Sequence, residues 1–182
     1  MNKFFSKFCI ALFAMFLISG TYVTAQSELP VDVDTKLITY KEVVTVEGNK
    51  TELFNRAIEW VNKQYKNPTE ATKVRDPQTG LIDILHRIEL TFEEKGVIRS
   101  AGIVEYSMKI ELKEGRYRYT ITNYTYKQAS RVPVEKWLDK SDKAYNPAWD
   151  NYLSQINQFS NKLIESLKQG MLPPTPKKVD EW

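Results

Sequence analysis

An alternating pattern of apolar and polar positions dominates Val104–Tyr126, VEYSMKIELKEGRYRYTITNYTY. Val104, Tyr106, Met108, Ile110 and Leu112 recur at every second position, with Glu105, Ser107, Lys109, Glu111 and Lys113 between them. After Lys113-Glu114-Gly115-Arg116 the alternation resumes, with Tyr117, Tyr119 and Ile121 on one side and Arg116, Arg118, Thr120, Thr122 and Tyr124 on the other. Successive side chains of a strand leave opposite faces, so this stretch predicts two antiparallel strands joined by a short Gly-containing turn. One face is core and the other is wet. Leu81–Glu93 predicts a further long strand, with Ile82, Ile84, Ile88, Leu90 and Phe92 facing one way and Asp83, Arg87, Glu89 and Thr91 the other. Leu85 and His86 interrupt that alternation. The β-branched run Leu37–Val46 predicts the first strand, and Ala71–Arg75 a short one. Val97–Gly102 fits either a loop or the start of a strand.

Two stretches carry helical spacing instead. Leu53, Phe54, Ala57, Ile58, Trp60, Val61 and Tyr65 form one apolar stripe, opened by Asn49 with Glu52 as its capping-box partner and stopped by Asn67-Pro68. Trp149, Tyr152, Leu153, Ile156, Phe159, Leu163 and Leu167 form the second, opened by Asn146-Pro147 and closed by Gly170 as a C-cap. Asp76–Gly80 and Glu94-Lys95-Gly96 are turns. Lys127–Tyr145 is a polar connection expected to rest Trp137 on the domain surface. The order strand, helix, four strands, helix predicts an α+β fold: an antiparallel sheet of about five strands with two helices on one face. The opposite face is left open.

The ends of the chain change where such a domain is expected to work. Lys3 and Lys7 precede the apolar run Phe8–Ser19, and Val23-Thr24-Ala25 ends in a small residue. This predicts a signal peptide over 1–25, cleaved before Gln26, and a periplasmic or secreted protein. The single cysteine, Cys9, lies inside that segment without the pattern of a lipoprotein site, so no membrane anchor and no disulfide are expected. Gln26–Lys36 reads as a loosely held arm, 37–170 as one domain, and Met171–Trp182, with three prolines, as a mobile tail. The net charge of +3 falls to about +1 without Lys3 and Lys7, which gives no argument for nucleic acid as a partner.

Several of these stretches resemble a known family. Tyr40-Lys41-Glu42-Val43-Val44, Glu52-Leu53-Phe54-Asn55-Arg56-Ala57 with Trp60, and Gly115-Arg116-Tyr117-Arg118 with Thr120-Ile121 and Asn123 are similar to domain-of-unknown-function family 4468. The likeness spans about Leu37 to Tyr126. It implies export in a bacterium of the Bacteroides group and a fold like that of the TATA-box-binding protein. It brings no activity, ligand or catalytic residue, and the fold name does not import DNA binding.

The residues themselves spell out no chemistry. His86 is the only histidine, which excludes a two-histidine metal site. No nucleophile elbow, phosphate loop or dinucleotide fingerprint is present. Asp83, Glu89, Glu105 and Glu111 lie among Arg87, Lys109, Arg116 and Arg118, which predicts cross-strand ion pairs rather than a paired-carboxylate catalyst. The chain is therefore expected to be non-enzymatic and without cofactor. It is read as a module binding a protein, peptide or glycan through the open sheet face or a sheet edge. The candidate binding residues are Arg87, Lys109, Arg116, Arg118, Tyr124 and Tyr126, since Tyr and Arg are favoured anchors. The alternative is a carrier holding a small apolar ligand among Trp60, Phe92, Trp149 and Phe159. A less favoured class is an enzyme with an unrecognised site, for which a cleft gathering acids and His86 would speak.

Overall fold

The computed structural model describes residues 29–174, so the expected signal peptide and the last part of the tail lie outside the described residues. The described chain runs β1 (Tyr40–Thr45), α1 (Lys50–Gln64), α2 (Pro68–Ala71), β2 (Thr72–Asp76), β3 (Leu81–Glu94), β4 (Val97–Lys113), β5 (Arg116–Lys127), β6 (Arg131–Pro133), a 3-10 helix (Val134–Leu138) and α3 (Ala148–Gly170). The strands form one antiparallel sheet in the order β1-β5-β4-β3-β2. β4 covers one edge of β5, while β1 takes residues 116–121 and β6 residues 125–127 of the other. The fold is the expected α+β arrangement with β6 added. The open reading of Val97–Gly102 resolves as strand: Lys95 and Gly96 both take positive φ, a two-residue turn whose twist suits a tight hairpin.

Helices α1 and α3 cover one face. Asn49 accepts from the Glu52 amide while Glu52 accepts from the Asn49 amide, the predicted capping box. α1 buries Leu53, Phe54, Ala57, Trp60 and Val61, and α3 buries Leu153, Ile156, Ser160, Leu163, Ile164 and Leu167. Beneath them lie Ile82, Ile84, Ile88 and Leu90 of β3, Val104, Tyr106, Met108, Ile110 and Leu112 of β4, and Tyr117, Tyr119 and Ile121 of β5. The row on β3 does not break at His86. That side chain continues the inward row, its ring 4.8 Å from that of Tyr65, and Leu85 points out. Phe92 is more exposed than its parity suggests, in the part of β3 nearest the turn to β4.

Three further expectations are corrected. Trp137 is buried rather than laid on the surface: it stacks on Trp149 at 5.8 Å and meets the Tyr126 ring at 5.3 Å. Gly170 is not a positive-φ cap but the last helical residue of α3. A Cβ there would lie 2.8 Å from Trp60 Cδ1, so glycine is what lets the indole lie against this helix. Met171, assigned to the tail, is fully buried, and its carbonyl accepts a hydrogen bond from Arg56. The segment before β1 is also tied down where it is described. Asp32 accepts the Thr35 amide at 2.8 Å, and Val31 bridges Ile38.

Candidate interaction surface

The face away from the helices is built from the opposite parity of the same strands. Lys109 of β4 lies between Asp83 of β3 and Thr120 of β5, and Glu111 lies opposite Arg118. Arg118 donates to both oxygens of Glu111, Nε at 2.7 Å and Nη2 at 2.5 Å. The pair holds the Glu111 carboxyl below its ordinary range and raises the guanidinium. Beside Arg118 on β1 stands Val43, 57% exposed. With Lys113, Arg116 and Tyr117 these residues line a shallow depression of about 180 Å³. Lys41, Lys109 and Arg116 make no ion pair among the described residues. Glu105 is engaged by Lys127 at 2.8 Å and by Arg131 at 3.3 Å.

Four of the six candidate residues, Arg87, Lys109, Arg116 and Arg118, lie on this face or at its margin. Tyr124 and Tyr126 do not. The β4–β5 register shifts between Glu105 and Ser107, so Tyr106 opposes both Asn123 and Tyr124. Asn123 takes φ 59°, the left-handed conformation of a bulge residue. One extra residue reverses parity, and everything beyond it changes face. Tyr124 is therefore 0% exposed under α3, its hydroxyl 2.7 Å from Ser160 Oγ. Burial, the dominant cause, pushes its phenol far above the ordinary value. Tyr126 is half-buried, donating to the Ala101 carbonyl. The Tyr124 ring is not available as an anchor, and the Tyr126 ring is turned away from the open face.

A second feature lies at the margin formed by β3. β2 pairs with β3 only over Leu81–Ile84, so among the described residues the edge of β3 beyond Ile84 has no strand beside it. A cleft of about 310 Å³ opens there, lined by Lys66, Asn67, Glu70, Ala71, Lys73, Leu85, His86, Arg87, Glu105 and Lys127. It does gather His86 with two acids. Glu105 is held by Lys127 and Arg131, however, and Glu70 accepts from Asn67 at 3.3 Å. Desolvation, the largest cause, lowers the His86 pKa and favours the neutral ring. Among the described residues no group of three or more His, Cys, Asp or Glu is placed to hold a metal ion.

The four proposed carrier residues are not gathered around any of these spaces. Trp60 donates to Ser166 Oγ, Trp149 stacks on Trp137, Phe159 lies 5.5 Å from the Tyr106 ring, and Phe92 is partly exposed. None lines either depression described above.

Residues 40–127 match the family model described as a domain of unknown function (DUF4468) with TBP-like fold. Over this stretch the chain is similar to the DUF4468 family. Two solved structures share its fold. One is a DUF4468 family protein from Bacteroides ovatus, 12% identical, with a TM-score of 0.63 over 81% of this chain and 94% of that one. The other is a TBP-like protein from Parabacteroides distasonis, 15% identical, with a TM-score of 0.55 over 76% of this chain and 97% of that one. At such identities the likeness concerns the fold alone. No curated protein matches the chain in sequence.

Sequence reasoning missed Lys66, Lys73 and Lys127 as neighbours of Arg87. The available signal was length: a five-residue β2 cannot flank a fourteen-residue β3 along its whole edge.

Proposed function

We propose that this protein is an exported, non-catalytic binding module that engages a protein, peptide or glycan through the uncovered face of its sheet. The observation that carries the reading is the set of cations on that face without an ion pair among the described residues, Lys41, Lys109 and Arg116, near the exposed Val43. A guanidinium and an ammonium beside an apolar side chain suit recognition more than stability, because surface charges contribute little to folding. The non-catalytic part of the reading is supported by the acids of the β3 cleft, which are engaged by cations or an amide rather than paired with each other. Export is supported by the apolar Phe8–Ser19 run and Val23-Thr24-Ala25.

The test begins with capture of a partner from cell-envelope extract, followed by titration of purified components. Lys109→Glu with Arg116→Glu is expected to weaken binding by about 1–2 kcal/mol per anchor, with an unchanged circular dichroism spectrum and melting temperature. Wild-type affinity in the double variant would exclude the face. Intact mass of the exported protein is expected to correspond to a chain starting at Gln26.

A further inference from the structure

The free edge of β3 is closed at both ends and open between. At one end β2 stops at Ile84. At the other, the side chain of Gln155 on α3 takes the place of a strand. Its Oε1 accepts the Thr91 amide at 3.0 Å, and its Nε2 donates to the Thr91 carbonyl at 2.8 Å. Backbone groups alternate direction along a strand, so the edge that Thr91 presents to Gln155 is the one on which Arg87 and Glu89 present theirs. The bulge nearby does not disturb this. It inserts Ala101 on β4, leaving β3 regular. An unpaired strand edge is a template for another extended chain.

The chemistry along this window is not uniform. At the Leu85–Arg87 end the cleft brings Lys66, Lys73, Arg87 and Lys127 against Glu70 and Glu105. Glu105 is already engaged by Lys127 and Arg131, while Lys66, Lys73 and Arg87 make no ion pair among the described residues. The cleft therefore presents uncompensated positive charge. At the other end Glu89 is exposed. A residue placed directly opposite on an added strand sits about 4.5–5.5 Å away between Cβ atoms, where opposite charges attract and like charges repel.

We propose that the β3 edge between Ile84 and Thr91 is a strand-addition site for an extended peptide with acidic residues at one end, a carboxylate lying beside Arg87 over the basic cleft. The proposal rests on the binding-module part of that reading and adds a second surface, the β3 edge, with the chemistry of what binds there. Main-chain hydrogen bonds to Arg87 and Glu89 supply affinity. The cations of the cleft and the repulsion from Glu89 set the register, since an acid is favoured opposite Arg87 and disfavoured two residues on.

The test uses a capped eight-residue peptide alternating valine with polar residues, two aspartates in its first half and two threonines in its second. A control peptide carries lysine for aspartate. The aspartate peptide is expected to bind at least tenfold more tightly and to slow hydrogen exchange at the Arg87 and Glu89 amides. Glu89→Pro, which removes an edge amide at a position where an edge strand tolerates proline, is expected to abolish binding. Arg87→Glu is expected to invert the preference between the two peptides, a readout that survives if the proline variant does not fold. Equal binding of the two peptides, or no binding of either, overturns the proposal. Binding that persists in Arg87→Glu but is lost in Lys109→Glu with Arg116→Glu also overturns it, while keeping the open-face reading. Should a captured partner be insensitive to the edge variants and to the face variants alike, both readings fail.

Discussion

The covered and uncovered faces of this sheet come from the same strands but treat their polar atoms in opposite ways. Under the helices, most polar atoms are satisfied inside the protein, the Tyr117 hydroxyl being buried without a hydrogen-bond partner among the described residues. Tyr124 meets Ser160, which in turn donates to the Ile156 carbonyl at 2.7 Å; Tyr65 and Tyr106 share a hydrogen bond at 3.2 Å; Trp60 reaches Ser166 at 3.0 Å. Desolvation pushes the Tyr65 phenol up to about 12 and that of Tyr106 still higher. Such groups are held in one arrangement, because an unmet buried donor costs about 1–3 kcal/mol. On the outer face the Arg118–Glu111 pair stays partly exposed, and Lys41, Lys109 and Arg116 make no ion pair among the described residues. The difference teaches that stability and recognition are divided by side. The inner face tolerates little change, while the outer face can vary without loss of fold.

Trp60→Ala tests that division most strongly. Removing the indole from between α1 and Gly170 is expected to cost about 3–5 kcal/mol in a reversible denaturant titration, whereas Lys109→Ala should stay within about 0.5 kcal/mol. A Trp60→Ala cost well under 1 kcal/mol would erase the distinction between the faces.

Asn123 is where the two faces exchange residues, so it sharpens the comparison. Its φ of 59° disfavours a β-branched side chain. Asn123→Val is expected to cost about 1–2 kcal/mol more than Asn123→Gly. Both lose the hydrogen bond from Asn123 Nδ2 to Ser107, so the difference between the variants isolates the backbone. Equal midpoints would mean that no bulge is present and that Tyr124 faces outward.

The smallest effect concerns His86, on the inner face at its margin. Burial lowers its pKa in the folded state. On acidification below the unfolded value of about 6.5, the unfolded chain binds a proton that the folded chain does not, so stability falls as pH drops through this window. His86→Gln is expected to flatten the dependence of the denaturation midpoint between pH 7 and 5. Because His86 is the sole histidine, a single imidazole resonance reports the titration directly. A midpoint above 6.5 would contradict the burial.

Much of this arrangement was legible in the residues. The alternation in β3, β4 and β5, the two apolar stripes and the Asn49–Glu52 box each arise from contacts within a few positions, and they determined the α+β order and the outward placement of Lys109 and Arg118. What escaped depends on pairing between distant segments. Asn123, a residue uncommon in strands, sits between Ile121 and Tyr124, and an apolar spacing of three rather than two hints at a bulge. Only the opposing strand decides that the extra residue lies on β5 and that Tyr124 and Tyr126 turn inward. Trp137 is buried because β6 and the 3-10 helix bring it onto Trp149, and nothing local in a polar connection encodes that. The free edge of β3 is likewise a matter of how far β2 reaches and where Gln155 lands. Local periodicity sets which side chains share a face of one strand. The closure of the sheet, which fixes register, bulges and edges together, sets which face and which edge remain in water.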